Sequence, residues 1–258
     1  MRAMPRPTYP TPPISTHVDA YHGTAIADPY RPLEDTDAPE TRAWIAAQNE
    51  LTQRVLGAVP ERQAIRARLA ELWSVPRAGA PWRRGDRWFQ LRNTGLQDQD
   101  VLWSSGEASA AGRVLLDPNS LSADGTTALA AVAVAESGDL VACATSDAGS
   151  DWRTWRVRRV ATGEELADTI AWSKFSSAAW THDDAGFFYG RYPQPPAGAA
   201  YDAPNLGMEL RYHRLGTDAA QDVLVFSRPD QPEWGYEPEV SDDGQLLVVA
   251  VWRGTNIS

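Results

Sequence analysis

The feature that most limits how this chain can fold is a turn that returns at near-constant spacing. A small polar stretch, a glycine and an apolar run occur together as Arg84-Gly85-Asp86-Arg87-Trp88-Phe89 and as Ser137-Gly138-Asp139-Leu140-Val141. The pattern returns as Asp183-Asp184-Ala185-Gly186-Phe187-Phe188-Tyr189 and as Ser241-Asp242-Asp243-Gly244-Gln245-Leu246-Leu247. Its glycines, at 85, 138, 186 and 244, stand 53, 48 and 58 residues apart. A tight hairpin needs positive φ, which glycine adopts without steric cost, so the recurrence marks a repeated β-unit. Such a period leaves room for four short strands and their turns, the unit of a β-propeller. Between residues 76 and 258 it fits about three to four blades, fewer than most propellers have. The last unit stops after its inner strands. The expected fold is mainly β, an incomplete propeller, in what reads as a piece of a longer protein.

Before Pro76 the periodicity is helical. The first twenty residues are rich in Pro and Thr and read as an extended arm, and Asp28 to Asp35 (DPYRPLED) is turn-forming. Asp37 and Glu40 have capping-box spacing, with Pro39 in the first turn. Trp44, Ala47, Leu51 and Val55 follow at helical intervals, and Gly57 is a stop. A second helix is expected from about Glu61 to Leu72, with Ile65, Leu69 and Leu72 on one face. An αα-hairpin of this size cannot hold a core of its own, so it must pack on something else. The expected domains are 1–75, arm and hairpin, and 76–258, partial propeller.

Charge narrows the function. The 258 residues carry 24 basic and 34 acidic side chains, a net charge of −10. A nucleic-acid binder needs a surplus of phosphate-neutralising cations, and a polybasic membrane-surface site needs the same, so neither partner is expected. Apolar runs such as Ala128 to Ala135 fall far short of a bilayer span. The amino terminus, MRAMPRPTYPTPPIS, has no apolar stretch behind its arginine and does not read as a signal peptide. One cysteine, Cys143, allows neither an internal disulfide nor a thiolate metal cluster. A soluble protein of the cytoplasm is expected. The eleven tryptophans, spread from Trp44 to Trp252, suit a large β-rich core better than a single binding cage. Among the 24 basic residues only Lys174 is a lysine, a bias that reads as the mark of a GC-rich genome.

Catalytic signatures are missing. No G-x-S-x-G elbow occurs. Ser150, in Ala148-Gly149-Ser150-Asp151-Trp152, is the nearest imitation and reads better as a turn cap. Cys143 lies in the apolar run Leu140 to Ala144 and reads as a buried, inert thiol. His17, His22, His182 and His213 have no metal-ligand spacing, and His182 reads as a surface turn residue. The Asp183-Asp184 and Asp242-Asp243 pairs fit local hydrogen bonding in turns. With no G-x-G-x-x-G and no P-loop, neither cofactor nor metal is expected. The residues argue for a binding or gating module without catalytic machinery of its own.

Several longer strings resemble the amino-terminal part of the prolyl oligopeptidase family, serine peptidases that cleave short peptides after proline. They are Tyr21 to Asp35 (YHGTAIADPYRPLED), Ala47 to Thr52 (AQNELT), Asn93 to Trp103 (NTGLQDQDVLW) and Leu116 to Leu129 (LDPNSLSADGTTAL). Gly149 to Trp152 (GSDW), Lys174 to Pro193 (KFSSAAWTHDDAGFFYGRYP), Tyr212 to Phe226 (YHRLGTDAAQDVLVF) and Glu239 to Gly244 (EVSDDG) follow in the same order. The resemblance covers the chain from about residue 8. It implies that the first 70 or so residues wrap onto an α/β-hydrolase domain, that a seven-bladed propeller caps the active site, and that the Ser, Asp and His triad comes later. The complete protein would be a monomeric enzyme working by acyl transfer through its serine, its propeller admitting short proline-containing peptides and excluding folded proteins. This chain would carry no catalytic residue and would be inactive alone.

The resemblance also implies substrate contacts. Phe175 matches a phenylalanine that meets the substrate on the amino-terminal side of the proline, and Asp151 and Trp152 match a loop near the cavity mouth. Val251-Trp252-Arg253-Gly254-Thr255 matches a segment with a substrate-contacting arginine. Trp252 holds that arginine's place, and Arg253 comes one residue later, a shift that reverses strand facing. Gly235 falls where some members have a bulky apolar pocket residue. Two other readings stand beside this one: a free-standing partial propeller that binds a peptide or protein, and an unrelated propeller lectin or scaffold. The second of these does not explain the ordered strings.

Overall fold

The computed structural model describes residues 7–196, 200, 204–254 and 256–257. Met1 to Arg6 of the expected arm lie outside the described residues, as do Thr255 and Ser258 of the last expected unit. The backbone divides into two compact units, Met1–Trp73 and Ser74–Ser258.

In the first unit, β1 (Val18–Tyr21) and β2 (Thr24–Ala27) form a hairpin whose two turn residues, His22 and Gly23, both have positive φ. Helices α1 (Pro39–Gly57) and α2 (Arg62–Trp73) follow. The expected capping box does not form. Pro39 takes the first helical position, which its fixed φ suits, and this moves the cap to Ala38, which offers no side-chain bond. Asp35 instead accepts from the N–H groups of Asp37 and Ala38 at 3.1 and 3.0 Å, and Asp37 pairs with Arg42 at 2.5 Å. The Trp44 indole donates to the Pro10 carbonyl at 3.3 Å and ties the arm to α1. Helix α1 buries Leu51, whereas α2 buries nothing, and its Ile65, Leu69 and Leu72 are about half exposed.

The second unit is built from four consecutive antiparallel meanders. In the first, β3 (Arg77–Ala78) and β4 (Trp82–Arg84) both pair with β5 (Arg87–Asn93), followed by β6 (Val101–Ser105) and β7 (Arg113–Leu116). The second holds β8 (Ala128–Val134), β9 (Leu140–Ser146), β10 (Arg153–Arg159) and β11 (Glu165–Ser173). The third holds β12 (Ala178–Trp180), β13 (Gly186–Arg191), β14 (Glu209–Arg214) and β15 (Val223–Phe226). The fourth holds β16 (Trp234–Val240), β17 (Leu247–Arg253) and β18 (Asn256–Ile257). These are successive blades of a β-propeller, and no sheet closes on itself among the described residues. None of the described helices is long and apolar enough to cross a membrane.

Each pair of neighbouring blades shares a layer of core, which is why the strands are apolar on both faces. In β9, side chains alternate across the sheet. Val141 and Cys143 pack with Phe89, Leu102, Leu115 and Leu116 of blade one, while Ala142 and Ala144 face blade three. There the small alanines leave room for Trp155, Trp180, Phe187 and Tyr189. The Trp180 indole donates to the Ala133 carbonyl at 2.9 Å, a direct bond between blades. Tyr192, Met208 and Leu210 of blade three meet Tyr236 of blade four in the third layer. Burial of a large apolar side chain is worth about 1.5–3 kcal/mol, so these interfaces hold the blades in series. Cys143 sits in one of them, and burial pushes its thiol up to about 12.

Three of the four recurrent glycines do what their position requires. Gly85, Gly138 and Gly244 have φ of 51°, 78° and 71°. Gly85 and Gly138 also let two turns nest, since a Cβ on either would lie within 2.4 Å of the other turn's backbone. The third unit differs from expectation. Asp184, at φ 56°, is the left-handed residue, and Gly186 is the first residue of β13, packed under the His213 carbonyl. Aspartate adopts that conformation more readily than most residues, and here the hydroxyl of Ser137, from the neighbouring blade, donates to its carboxylate.

Candidate functional site

Topology gathers the site at one end of the blades. Each inner strand joins the next through the recurrent turn, so the start of the inner strand and the end of its neighbour meet at the opposite end. Phe175 precedes β12, Tyr192 follows β13, Glu233 precedes β16 and Trp252 lies near the end of β17. With Asn205 and Gly254 they line a cleft of about 500 Å³. At the turn end, the inner strands β4, β8, β12 and β16 line a more polar recess of about 380 Å³ that includes Glu136, His182 and Asp242. No cluster among the described residues could hold a metal ion.

The walls of the cleft are aromatic. Phe175 and Trp252 meet edge to face, with ring centroids 6.3 Å apart. Trp252 pairs across the strands with Gly235, and a Cβ on that glycine would lie 2.1 Å from the indole. The missing side chain at 235 is therefore the space that the Trp252 ring occupies. Behind the wall, Trp152 packs edge-on against Tyr192 and Trp172, at 6.2 and 5.4 Å. Burial pushes the Tyr192 phenol up to about 12, so it enters the cleft as a neutral ring.

The segment that presents Phe175 is strained and fastened at nearly every residue. Trp172 and Phe175 have φ of 64° and 52°, a left-handed conformation that costs a side-chain-bearing residue about 1–2 kcal/mol. Such strain persists only where the surroundings over-determine it. Tyr192 N–H donates to the Trp172 carbonyl at 2.9 Å, and the Ser173 hydroxyl donates to the Gly190 carbonyl at 2.8 Å. Gly190 N–H donates to the Ser176 hydroxyl at 3.1 Å, and Arg153 donates to the Ser176 carbonyl at 3.2 Å. The Glu237 carboxylate, reaching from β16, accepts from the Ser177 N–H at 3.1 Å and from its hydroxyl. Lys174 lies 93% buried among these bonds. Its ammonium sits 4.0 Å over the Trp152 ring and donates to Asn205 Oδ1 at 2.9 Å.

The chain matches the family model described as the prolyl oligopeptidase N-terminal β-propeller domain over residues 9–258. The chain belongs to the prolyl oligopeptidase family. It is 36% identical to a prolyl endopeptidase of Elizabethkingia meningoseptica over 248 residues, 96% of this chain and 35% of that protein. With prolyl oligopeptidase A of Amanita bisporigera it shares 32% identity, over 96% of this chain and 36% of the relative. A solved chain from a structural and mechanistic study of two prolyl endopeptidases superposes with a TM-score of 0.86 at 35% identity, covering 96% of this chain and 36% of that one. Prolyl oligopeptidase B of Galerina marginata, solved with a 35mer hydrolysis and macrocyclization substrate, gives 0.80 at 30% identity, over 95% of this chain and 37% of that one. The chain thus spans little more than a third of the length of these family members.

Of the four residues singled out from the family strings, Phe175 lines the cleft, and Trp152 and Asp151 stand at the same end of the blades. Ser150 closes their turn, its hydroxyl accepting from the Trp152 N–H at 3.1 Å. Arg253 is not itself a lining residue; more than half exposed, it pairs at 2.7 Å with Glu233, which is one. Five residues escaped the sequence reading as parts of the site: Lys174, Tyr192, Asn205, Glu233 and Glu237. Their partners lie up to 60 residues away in sequence, and no local motif announces such pairs.

Proposed function

We propose that this chain is the amino-terminal, non-catalytic part of a serine endopeptidase that cleaves short peptides after proline, with the propeller gating access to the active site. The observation that carries the reading is the match along nearly the whole chain to the family's propeller domain, joined to an aromatic cleft at one end of the blades. A flat apolar wall at Phe175 suits a peptide side chain on the amino-terminal side of the proline. Asp151, Trp152 and Arg253 would form the outer part of the same contact surface. The exposed apolar stripe of α2 suits an α/β-hydrolase domain as its covering partner, and burial of each of its large side chains would contribute about 1.5–3 kcal/mol. The protein would work as a soluble monomer in the cytoplasm, without cofactor.

A second reading is a free-standing partial propeller that holds a peptide or protein in the same aromatic cleft. Reading the source DNA past the codon for Ser258 separates the two. An open frame with a G-x-S-x-G, then Asp and His, supports the peptidase. A stop codon there leaves peptide or partner binding as the function.

A further inference from the structure

The structure assigns Lys174 a role that reaches beyond the contacts above: we propose that it is the positioning residue of the aromatic cleft, its ammonium holding Phe175 and Asn205 in the arrangement that accepts a peptide. This rests on the reading of the cleft as a peptide site.

Lys174 does not line the cleft itself, but it touches two residues that do. Its ammonium donates to Asn205 Oδ1 at 2.9 Å and lies 5.7 Å from the centroid of the Phe175 ring. On the other side it rests 4.0 Å over Trp152, whose indole N–H donates to the Ala200 carbonyl at 2.6 Å and whose ring abuts Tyr192, a third wall. One buried cation thus joins the strained turn before β12 to the loop after β9 and to the segment before β14. A cation held over an indole and shielded from water is attracted to the ring face, and that attraction opposes the backbone strain at Phe175.

The residue type is informative. Every other basic residue of the chain is arginine, 23 of 24, so Lys174 is the one lysine. A guanidinium is broad, planar and permanently charged, whereas an ammonium is compact and can release its proton. Burial pushes the Lys174 ammonium below its ordinary value, and Asp151 offsets part of that shift. The other charged or titratable groups facing the segment are Arg153, which donates to Ser176, Glu237, which accepts from Ser177, and Tyr192. Burial moves the Tyr192 phenol the opposite way, up to about 12. When the amine loses its charge, the attraction to Trp152 goes, and the strained turn at Phe175 is held by its hydrogen bonds alone.

A single lysine also makes the test direct, because lysine labelled with ¹³C at Cε gives one side-chain signal. The probe is a capped Phe-Gly-Pro amide, titrated into the full chain from about pH 7 to about pH 10 with binding read from tryptophan emission. The expected result is an affinity that falls about tenfold in step with the Lys174 signal. Lys174→Met should bind weakly at every pH, and Lys174→Arg should not restore binding. A wild-type affinity that stays flat while the lysine titrates overturns the role, as does a wild-type chain that does not bind the probe. The proline reading is tested apart, with a Phe-Gly-Ala amide. If both peptides bind equally and both follow Lys174, the positioning role stands and the preference for proline-containing peptides does not.

Discussion

The indole of Trp252 lies on Gly235, its partner across β16 and β17, in space that a single methyl group would invade. The bare backbone at 235 leaves the room, and the indole from the neighbouring strand fills that wall of the cleft. Gly235 has no positive φ, so Gly235→Ala is compatible with the backbone and acts through the clash alone. Overpacking of this kind costs about 1–3 kcal/mol. Denaturant unfolding should show that loss, and Gly235→Ala/Trp252→Ala should be more stable than the sum of its singles. Additive single effects would mean that the two sites do not touch in solution.

Glu237 bridges blade four to the turn that carries Phe175. Hydrogen bonds to a charged group contribute about 1.5–3 kcal/mol, so Glu237→Ala should destabilise the second unit by an amount in that range. The Ser177 amide should exchange its hydrogen much faster, while amides in β9 and β10 keep their protection. Equal deprotection of all blades would point to general unfolding instead.

His213 links blades two and three. It is fully buried, with Nδ1 2.7 Å from Asp222 and Nε2 3.0 Å from Asp168, which belongs to β11. Tyr189 donates to the other oxygen of Asp222 at 2.6 Å, and Gly216 N–H donates to Asp168 at the same distance. Burial pulls the imidazole down, but its bonds to Asp222 and Asp168 together push it further up, and its pKa ends above the ordinary value. A group raised on folding contributes fully below its unfolded pKa, about 6.5. That contribution is lost as pH rises through the folded value. Stability should therefore decline with pH above about 6.5, and His213→Gln should remove this slope and cost about 3–5 kcal/mol by leaving buried carboxylates unpaired. Parallel pH profiles for the two proteins would contradict the assignment.

The outer faces of blades three and four leave Val223, Leu224, Leu246 and Val248 about half exposed or more. The chain alone should bind an apolar dye and self-associate as its concentration rises. Val248→Lys, on the exposed face of β17, should reduce both. A monomer at all concentrations, with no dye binding, would show that these faces are covered in a way the fold does not reveal.

What could be read in the sequence was local. Turn glycines at 85, 138 and 244 set the blade period, and apolar spacing in α1 and α2 set the helices to within a residue or two. The misplacements were local ambiguities: an aspartate able to replace glycine at 184, and a proline that moved a helix start past Asp37. The site was legible only through family strings that included Phe175. Lys174 finds Asn205 across 31 residues, His213 finds Asp168 across 45, and Ser177 finds Glu237 across 60. Such pairs are made when blades stack, and no periodicity encodes them.

The most direct measurement is hydrolysis by the product of the complete reading frame, with matched chromogenic peptides that carry proline or alanine before the scissile bond. Cleavage after proline alone is expected, with Phe175→Ala raising KM several-fold and leaving kcat nearly unchanged, the mark of lost substrate binding. Equal cleavage of both peptides, or a Phe175→Ala enzyme indistinguishable from wild type, would contradict the assignment of this cleft to a proline-directed peptidase.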